Sequence, residues 1–169
     1  RPDAALAIAR TLFDRDLSVD AFRLLSQVGG RCGRQDEQRT WAFEQATQQA
    51  HSSGGAHLVR LHLAEKNAEA MWTTLKGGPT GSRLWEQCAD LRGKTHPEDA
   101  IPLYFKLLPN AVNQGASNAR YESAFRIVQS IGKLRKQQDR VAEFKQELAC
   151  IRLEYKAKRN FIKLLSTLG

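Results

Sequence analysis

Apolar residues along this chain recur every three or four positions, and I-, V- or T-rich alternation of period two is nearly absent. That spacing predicts amphipathic helices and no sheet. A first helix is expected from about Asp3 to Arg15, with Leu6, Ala9 and Phe13 on one face. Ser18 is a candidate N-cap for a second helix burying Ala21, Phe22, Leu25 and Val28, with Gly29-Gly30 as its stop. A third is expected from Gln35 to Ala50, carrying Trp41, Ala42, Gln45 and Ala46, before the break at Ser52-Ser53-Gly54-Gly55. Residues 56–64 form a short apolar segment on Leu58, Leu61 and Val59. Asn67 then caps a helix with Ala70, Met71 and Leu75, which Gly77-Gly78-Pro79 stops.

The second half reads the same way. Ser82 is a candidate cap for a helix with Leu84, Trp85, Cys88 and Leu91. Thr95 and Glu98 have capping-box spacing ahead of Ala100, Tyr104, Leu107 and Leu108. Pro102 and Pro109 interrupt that helix and require either a start at Asp99 or a bend. Tyr121, Ala124, Phe125, Val128 and Ile131 define the next stripe. Asp139 is a candidate cap for the one after it, on Val141, Phe144, Leu148, Ile151 and Tyr155, and Phe161, Leu164, Leu165 and Leu168 end the series.

Nine or ten short helices on short turns force antiparallel neighbours. The expected fold is therefore all-α: antiparallel helical hairpins in one domain spanning 1–169, forming a tetratricopeptide-like α-α superhelix. An Ala between a polar and an apolar residue recurs at Asp20-Ala21-Phe22, Glu69-Ala70-Met71, Asp99-Ala100-Ile101 and Ser123-Ala124-Phe125. Its unequal spacing gives a degenerate repeat rather than a fixed period.

Several segments resemble the C-terminal helical region of bacterial SWIM zinc-finger family proteins. They are His96-Pro97-Glu98-Asp99-Ala100-Ile101-Pro102-Leu103-Tyr104, Tyr121-Glu122-Ser123-Ala124, Glu143-Phe144 and the ending Lys156-Ala157-Lys158-Arg159-Asn160-Phe161-Ile162-Lys163-Leu164-Leu165. Leu61-His62-Leu63-Ala64-Glu65, Ala70-Met71-Trp72 and Leu84-Trp85 fit the same pattern. The likeness covers roughly residues 60–169, and 1–59 only as generic helical repeat. It implies a tetratricopeptide-like array attached to an N-terminal zinc-binding module. The Cys-x-Cys and Cys-x-His ligands of that module are absent from this chain, so no zinc is carried over. The start at Arg1 rather than Met, with no charged leader before an apolar block, reads as a fragment of a longer protein without a targeting signal.

Composition adds a charge asymmetry. The chain carries 26 basic and 18 acidic residues, a net +8, of which residues 1–85 supply +2 and 86–169 supply +6. Two clusters hold most of the excess. Lys133, Arg135, Lys136 and Arg140 surround one helix junction, and Arg152, Lys156, Lys158, Arg159 and Lys163 the next. If neighbouring junctions merge into one face, that face suits phosphates or an acidic protein. The alternative is a solvated helix surface with cations placed favourably at C-termini. The cations are not interleaved with exposed aromatics, so base stacking has no support.

Catalytic and metal chemistry find little purchase. His51, His57 and His62 do not stack on one helical face as metal ligands. Cys88 and His96 lack the surrounding motif of a nucleophile–base pair, and Cys88 has core spacing. The segment from Gly77 to Ser82 lacks the Lys-Ser/Thr end of a phosphate loop. Glu98 and Asp99 are explained by the helix dipole. Trp41, Trp72 and Trp85 fit a core better than a groove. Cys32, Cys88 and Cys150 are too few and too scattered for a disulfide framework and fit a reducing cytoplasm. The expectation is a non-catalytic, cofactor-free scaffold that binds protein, with nucleic acid as the alternative partner and no membrane span.

Overall fold

The computed structural model describes residues 2–50, 55–76, 82–117 and 120–168. Among these it is all-helical, with ten α-helices and no strand. They are α1 (Pro2–Asp16), α2 (Val19–Arg31), α3 (Gln35–Gln48), α4 (Ala56–Ala64), α5 (Ala68–Lys76), α6 (Ser82–Arg92), α7 (Pro97–Ala116), α8 (Glu122–Gln137), α9 (Val141–Glu154) and α10 (Arg159–Leu165), followed by a 3-10 turn at Ser166–Leu168. None is long and apolar enough to cross a membrane. The chain divides into two compact units, residues 1–84 and 85–169.

In the first unit, α2 packs on α1 and on α3, and α4 packs on α2, α3 and α5. Leu6, Ala9 and Phe13 of α1 meet Phe22 and Leu25 of α2, Ala42 and Ala46 of α3 and Leu61 of α4 in one core. A chain of rings runs through it. Phe13 contacts Phe22 and Trp41, Phe22 contacts Phe43 edge-on, and Phe43 stacks on His62 at 4.9 Å. Such pairs each add about 0.5–1.5 kcal/mol beyond area burial.

In the second unit, α8 packs on α7, α9 and α10. Most of the expected stripe positions are buried: Ala100, Tyr104, Leu107 and Leu108 on α7, Ala124, Val128 and Ile131 on α8, Leu148 and Ile151 on α9, Phe161 and Leu165 on α10. Phe125, Phe144, Tyr155, Leu164 and Leu168 are half-buried, and Val141, expected inward, is exposed. Gly132 allows the α8–α9 approach, because a Cβ there would lie 2.7 Å from the Phe144 ring.

The turns repeat where the side chains do not. Leu17, Gly33, Lys66 and Asp139 each take left-handed φ (49°, 68°, 57° and 56°), and each is followed at once by the start of the next helix. Ser18 and Asn67 then cap as expected, accepting from Ala21 N and Ala70 N at 3.1 Å.

Other boundaries depart from the pattern. Gly29-Gly30 does not stop α2, which continues to Arg31. Gly29 is buried against α3 instead, where a Cβ would lie 2.9 Å from Gln38 Cγ. Asp139 is not a cap: its left-handed backbone places Arg140 at the cap position. Thr95 and Glu98 form no capping box. The cap position is His96, and Thr95 Oγ1 hydrogen-bonds to the Arg92 carbonyl and His96 Nδ1.

α7 does not start at Asp99 but runs 20 residues from Pro97, with Pro102 and Pro109 inside it. Pro97 occupies the first position, where a missing N–H costs nothing. Pro102 and Pro109 both lie on its exposed side, so water can serve the carbonyls they leave without a donor. Nine buried residues along α7 offset the loss. The breaks expected at 52–54 and 77–79 and the glycine-rich segment at 77–81 lie outside the described residues.

Candidate binding surfaces

Of the nine candidate cations, three arginines are committed to the fold. Arg135 is largely buried: its side chain is 12% exposed, its guanidinium forks onto Glu147, and it reaches Glu143 at 3.7 Å. Arg140 donates to Glu143 at 2.5 Å. Arg152 Nη2 donates to the Leu165 carbonyl at 2.7 Å and so serves the last turn of α10. Lys133, Lys136, Lys156, Arg159 and Lys163 are exposed and Lys158 is half-buried, and none of the six has a partner among the described residues.

The two clusters are not brought into one patch through their shared helix. Arg140 is the N-cap of α9, and Lys156 follows its C-cap residue, Tyr155. The 14 residues of the helix lie between them, about 21 Å at 1.5 Å per residue. Successive junctions of antiparallel helices alternate ends, which works against the merged face expected from the sequence.

Arginines elsewhere are also committed to the fold. Arg92 is 5% exposed and donates to Asp99 at 2.8 Å, so Asp99 holds a buried cation as well as a helix start. Arg10 Nε donates to Gln38 Oε1 at 2.6 Å, and its guanidinium lies 5.1 Å from the Trp41 ring centre. Gln38 is fully buried, and its Nε2 has no partner. Sequence reading missed Gln38 and Arg92, because each is stabilised by a partner on another helix.

Two grooves stand out. In the first unit, a groove of about 630 Å³ lies beside α3 and α4. Phe43, Leu58 and His62 supply its apolar wall, while Arg39, Thr40, Glu44, Thr47, Gln48 and Asn67 line the rest. The Phe43–His62 stack fixes the wall, and Arg39 is held by Glu65 with its Nε donating at 2.6 Å. Burial holds His62 below the ordinary imidazole value, so it is neutral at pH 7, and its Nδ1 is buried without a partner.

In the second unit, a groove of about 410 Å³ runs between α7 and α9. Phe105, Leu108 and Pro109 form one wall, and Glu143, Gln146, Glu147, Cys150, Ile151, Glu154 and Tyr155 the other. A third cavity, about 270 Å³, contains the Tyr104 hydroxyl donating to Asp90 at 2.5 Å. Burial and Asp90 push that hydroxyl up, which keeps it a donor rather than a base.

The residues tested for other chemistry are dispersed. Cys88 is fully buried, and burial pushes its thiol up to about 12, which keeps it protonated. No group of three metal-binding side chains occurs among the described residues, and His51 lies outside them. Trp41, Trp72 and Trp85 are each half-buried, and Lys76 and Lys106 lie over the rings of the last two, at 5.1 and 3.7 Å. No family model, curated protein or solved structure matches this chain.

Proposed function

We propose that this chain is a non-catalytic, cytoplasmic helical-repeat scaffold of tetratricopeptide type that binds a segment of another protein. The observation that carries this reading is the groove beside α3 and α4. Its volume of about 630 Å³ falls in the range of about 300–1,000 Å³ typical of ligand sites. An apolar wall of Phe43, Leu58 and His62, ringed by hydroxyl and amide groups, suits an extended peptide. The wall supplies side-chain burial and the polar ring supplies main-chain hydrogen bonds. The resemblance to the helical region of SWIM zinc-finger proteins agrees with an accessory, partner-holding role, as does the repeated left-handed turn.

Selection of peptides from a random display library against the chain tests this. The expected result is a family of binders whose affinity falls at least about tenfold, or 1.4 kcal/mol, when Thr47→Arg places a long cation in the groove. Thr47 is exposed, so the substitution leaves the fold intact. A library that yields no binder overturns the reading.

The second reading is nucleic-acid binding by the C-terminal cations, favoured by the six that have no internal partner. Labelled single- and double-stranded DNA and RNA in a salt series test it. Affinity that falls steeply with salt, and falls again when Lys156, Lys158 and Arg159 become Ala, supports it. Absence of binding at low salt removes it.

A further inference from the structure

The groove between α7 and α9 differs in chemistry from the rest of its unit. Residues 85–169 carry a net +6, yet three glutamates, Glu143, Glu147 and Glu154, line this groove and no cation does. They follow helical spacing along α9, so the acceptors form a row. Arg135 and Arg140 hold the first two from outside the groove. Glu154, at the other end of the row, is exposed and has no ion-pair partner among the described residues.

The facing wall, Phe105, Leu108 and Pro109, is apolar, and so is the surface between it and the glutamates. Leu108 and Ile151 are buried beneath it, and Phe105 and Tyr155 are half-exposed at its edge. An occupant that matches both features brings positive charge together with a large apolar side chain.

We propose that the α7–α9 groove binds a peptide segment in which a lysine or arginine sits beside a large apolar residue, the cation at Glu154 and the apolar side chain over Leu108 and Ile151. This rests on the scaffold reading and assigns that scaffold a second, charge-selective seat. Tyr155 fits the role: burial and the neighbouring Glu154 push its hydroxyl up to about 12, so it stays neutral beside the incoming cation. Of the three carboxylates, Glu154, which faces the Tyr155 hydroxyl but has no ion pair among the described residues, is the one that gains an ion pair when the seat fills.

The test uses the full chain and three labelled peptides of equal length, repeating Lys-Phe-Leu, Ser-Phe-Leu and Glu-Phe-Leu. Fluorescence anisotropy is expected to rank them in that order, with the lysine peptide binding at least about tenfold more tightly than the glutamate peptide. Glu154→Gln is expected to reduce the lysine peptide's affinity several-fold and flatten its salt dependence. Cys150→Arg is expected to abolish binding, because an exposed groove position then carries a long cation. Circular dichroism melting confirms that both variants fold. Equal affinity for all three peptides overturns the charge selectivity. Binding untouched by Cys150→Arg but lost in Thr47→Arg overturns this seat and leaves the scaffold reading standing. No binding by any of the three overturns the seat alone, since the display selection probes the scaffold reading separately.

Discussion

The two units handle positive charge differently. Residues 1–84 contain 9 Arg and 2 Lys, whereas residues 85–169 contain 7 Arg and 8 Lys, so the basic excess of the second unit is an excess of lysine. Several arginines of both units build the fold. Arg10 and Arg34 meet Glu37, Arg39 meets Glu65, Arg92 meets Asp99, and Arg135 meets Glu147. No lysine makes an ion pair among the described residues. A guanidinium offers a planar fork that matches a carboxylate, while a lysine offers a point charge on a mobile stem. Net charge therefore overstates the difference between the units as structures and describes their surfaces better.

The largest expected effects separate the units by their cores. Phe161 is fully buried, stacks on Tyr121 at 5.4 Å and meets Tyr155 edge-on at 5.8 Å. Phe161→Ala is expected to cost about 3–5 kcal/mol, read as lost amide protection in α8–α10 by hydrogen exchange. Phe13→Ala is expected to do the same in α1–α3. If each substitution removes protection from both units equally, the division at residue 84 has no energetic meaning.

A smaller effect tests how closely helices approach in each unit. At Gly132 an added methyl meets the Phe144 ring at 2.7 Å, whereas at Gly30 the nearest atom is the Gln35 side chain at 3.6 Å. Gly132→Ala is expected to destabilise by about 1–3 kcal/mol. Gly30→Ala is expected to stabilise by about 0.5–1 kcal/mol, since only helix propensity changes. Urea denaturation midpoints measure both. A stabilising Gly132→Ala would mean that α8 and α9 are farther apart than described.

These cases show what was legible in the amino-acid pattern. The buried stripes of α1, α2, α7, α8 and α10 follow from period alone, because burial demands apolar side chains and a helix repeats every 3.6 residues. Ser18 and Asn67 were legible because capping is a local bond between near neighbours. Gly29 was misread as a stop because its close packing on Gln38 involves a helix beginning six residues later, which no local pattern reports. The repeated left-handed turn was invisible because Leu, Lys and Asp occupy it as well as Gly. The site residues were legible only as charge. Which cations are committed inward depended on Glu143, Glu147 and a helix-end carbonyl, and those partners are set by tertiary packing. The acceptor row of the α7–α9 groove was hidden for the same reason, since Phe105 and Glu154 are 49 residues apart in sequence.

The division of labour between arginine and lysine makes its own prediction on α8. Arg135 and Lys136 are adjacent, but the first is 12% exposed and paired, and the second is exposed and without a partner. Arg135→Ala is expected to cost about 2 kcal/mol, since hydrogen bonds to charged groups are lost and Glu147 remains half-buried. Lys136→Ala is expected to stay within about 0.5 kcal/mol. If the lysine change is the more costly, the assignment of structural and surface roles is reversed.

The smallest effect is a pH dependence in the first unit. Arg34, first by hydrogen bonding and then by charge, holds Glu37 down at about 2, and Arg10 adds to it. A carboxylate whose folded pKa is depressed stabilises the fold above its ordinary range near 4.5, and that contribution fades as pH falls toward 2. The pair is exposed at the surface, so the change in stability is small and screened by salt. The titration itself is the sharper reading. By NMR the Glu37 carboxyl is expected to titrate near 2, and Arg34→Ala is expected to return most of the shift. Arg10→Ala should return less, because its coulombic influence is the weaker of the two. A Glu37 that titrates in the ordinary range with Arg34 present would mean the fork is not held in solution. The arginines of the first unit would then be as mobile as the lysines of the second, and the contrast between the units would reduce to number of charges alone.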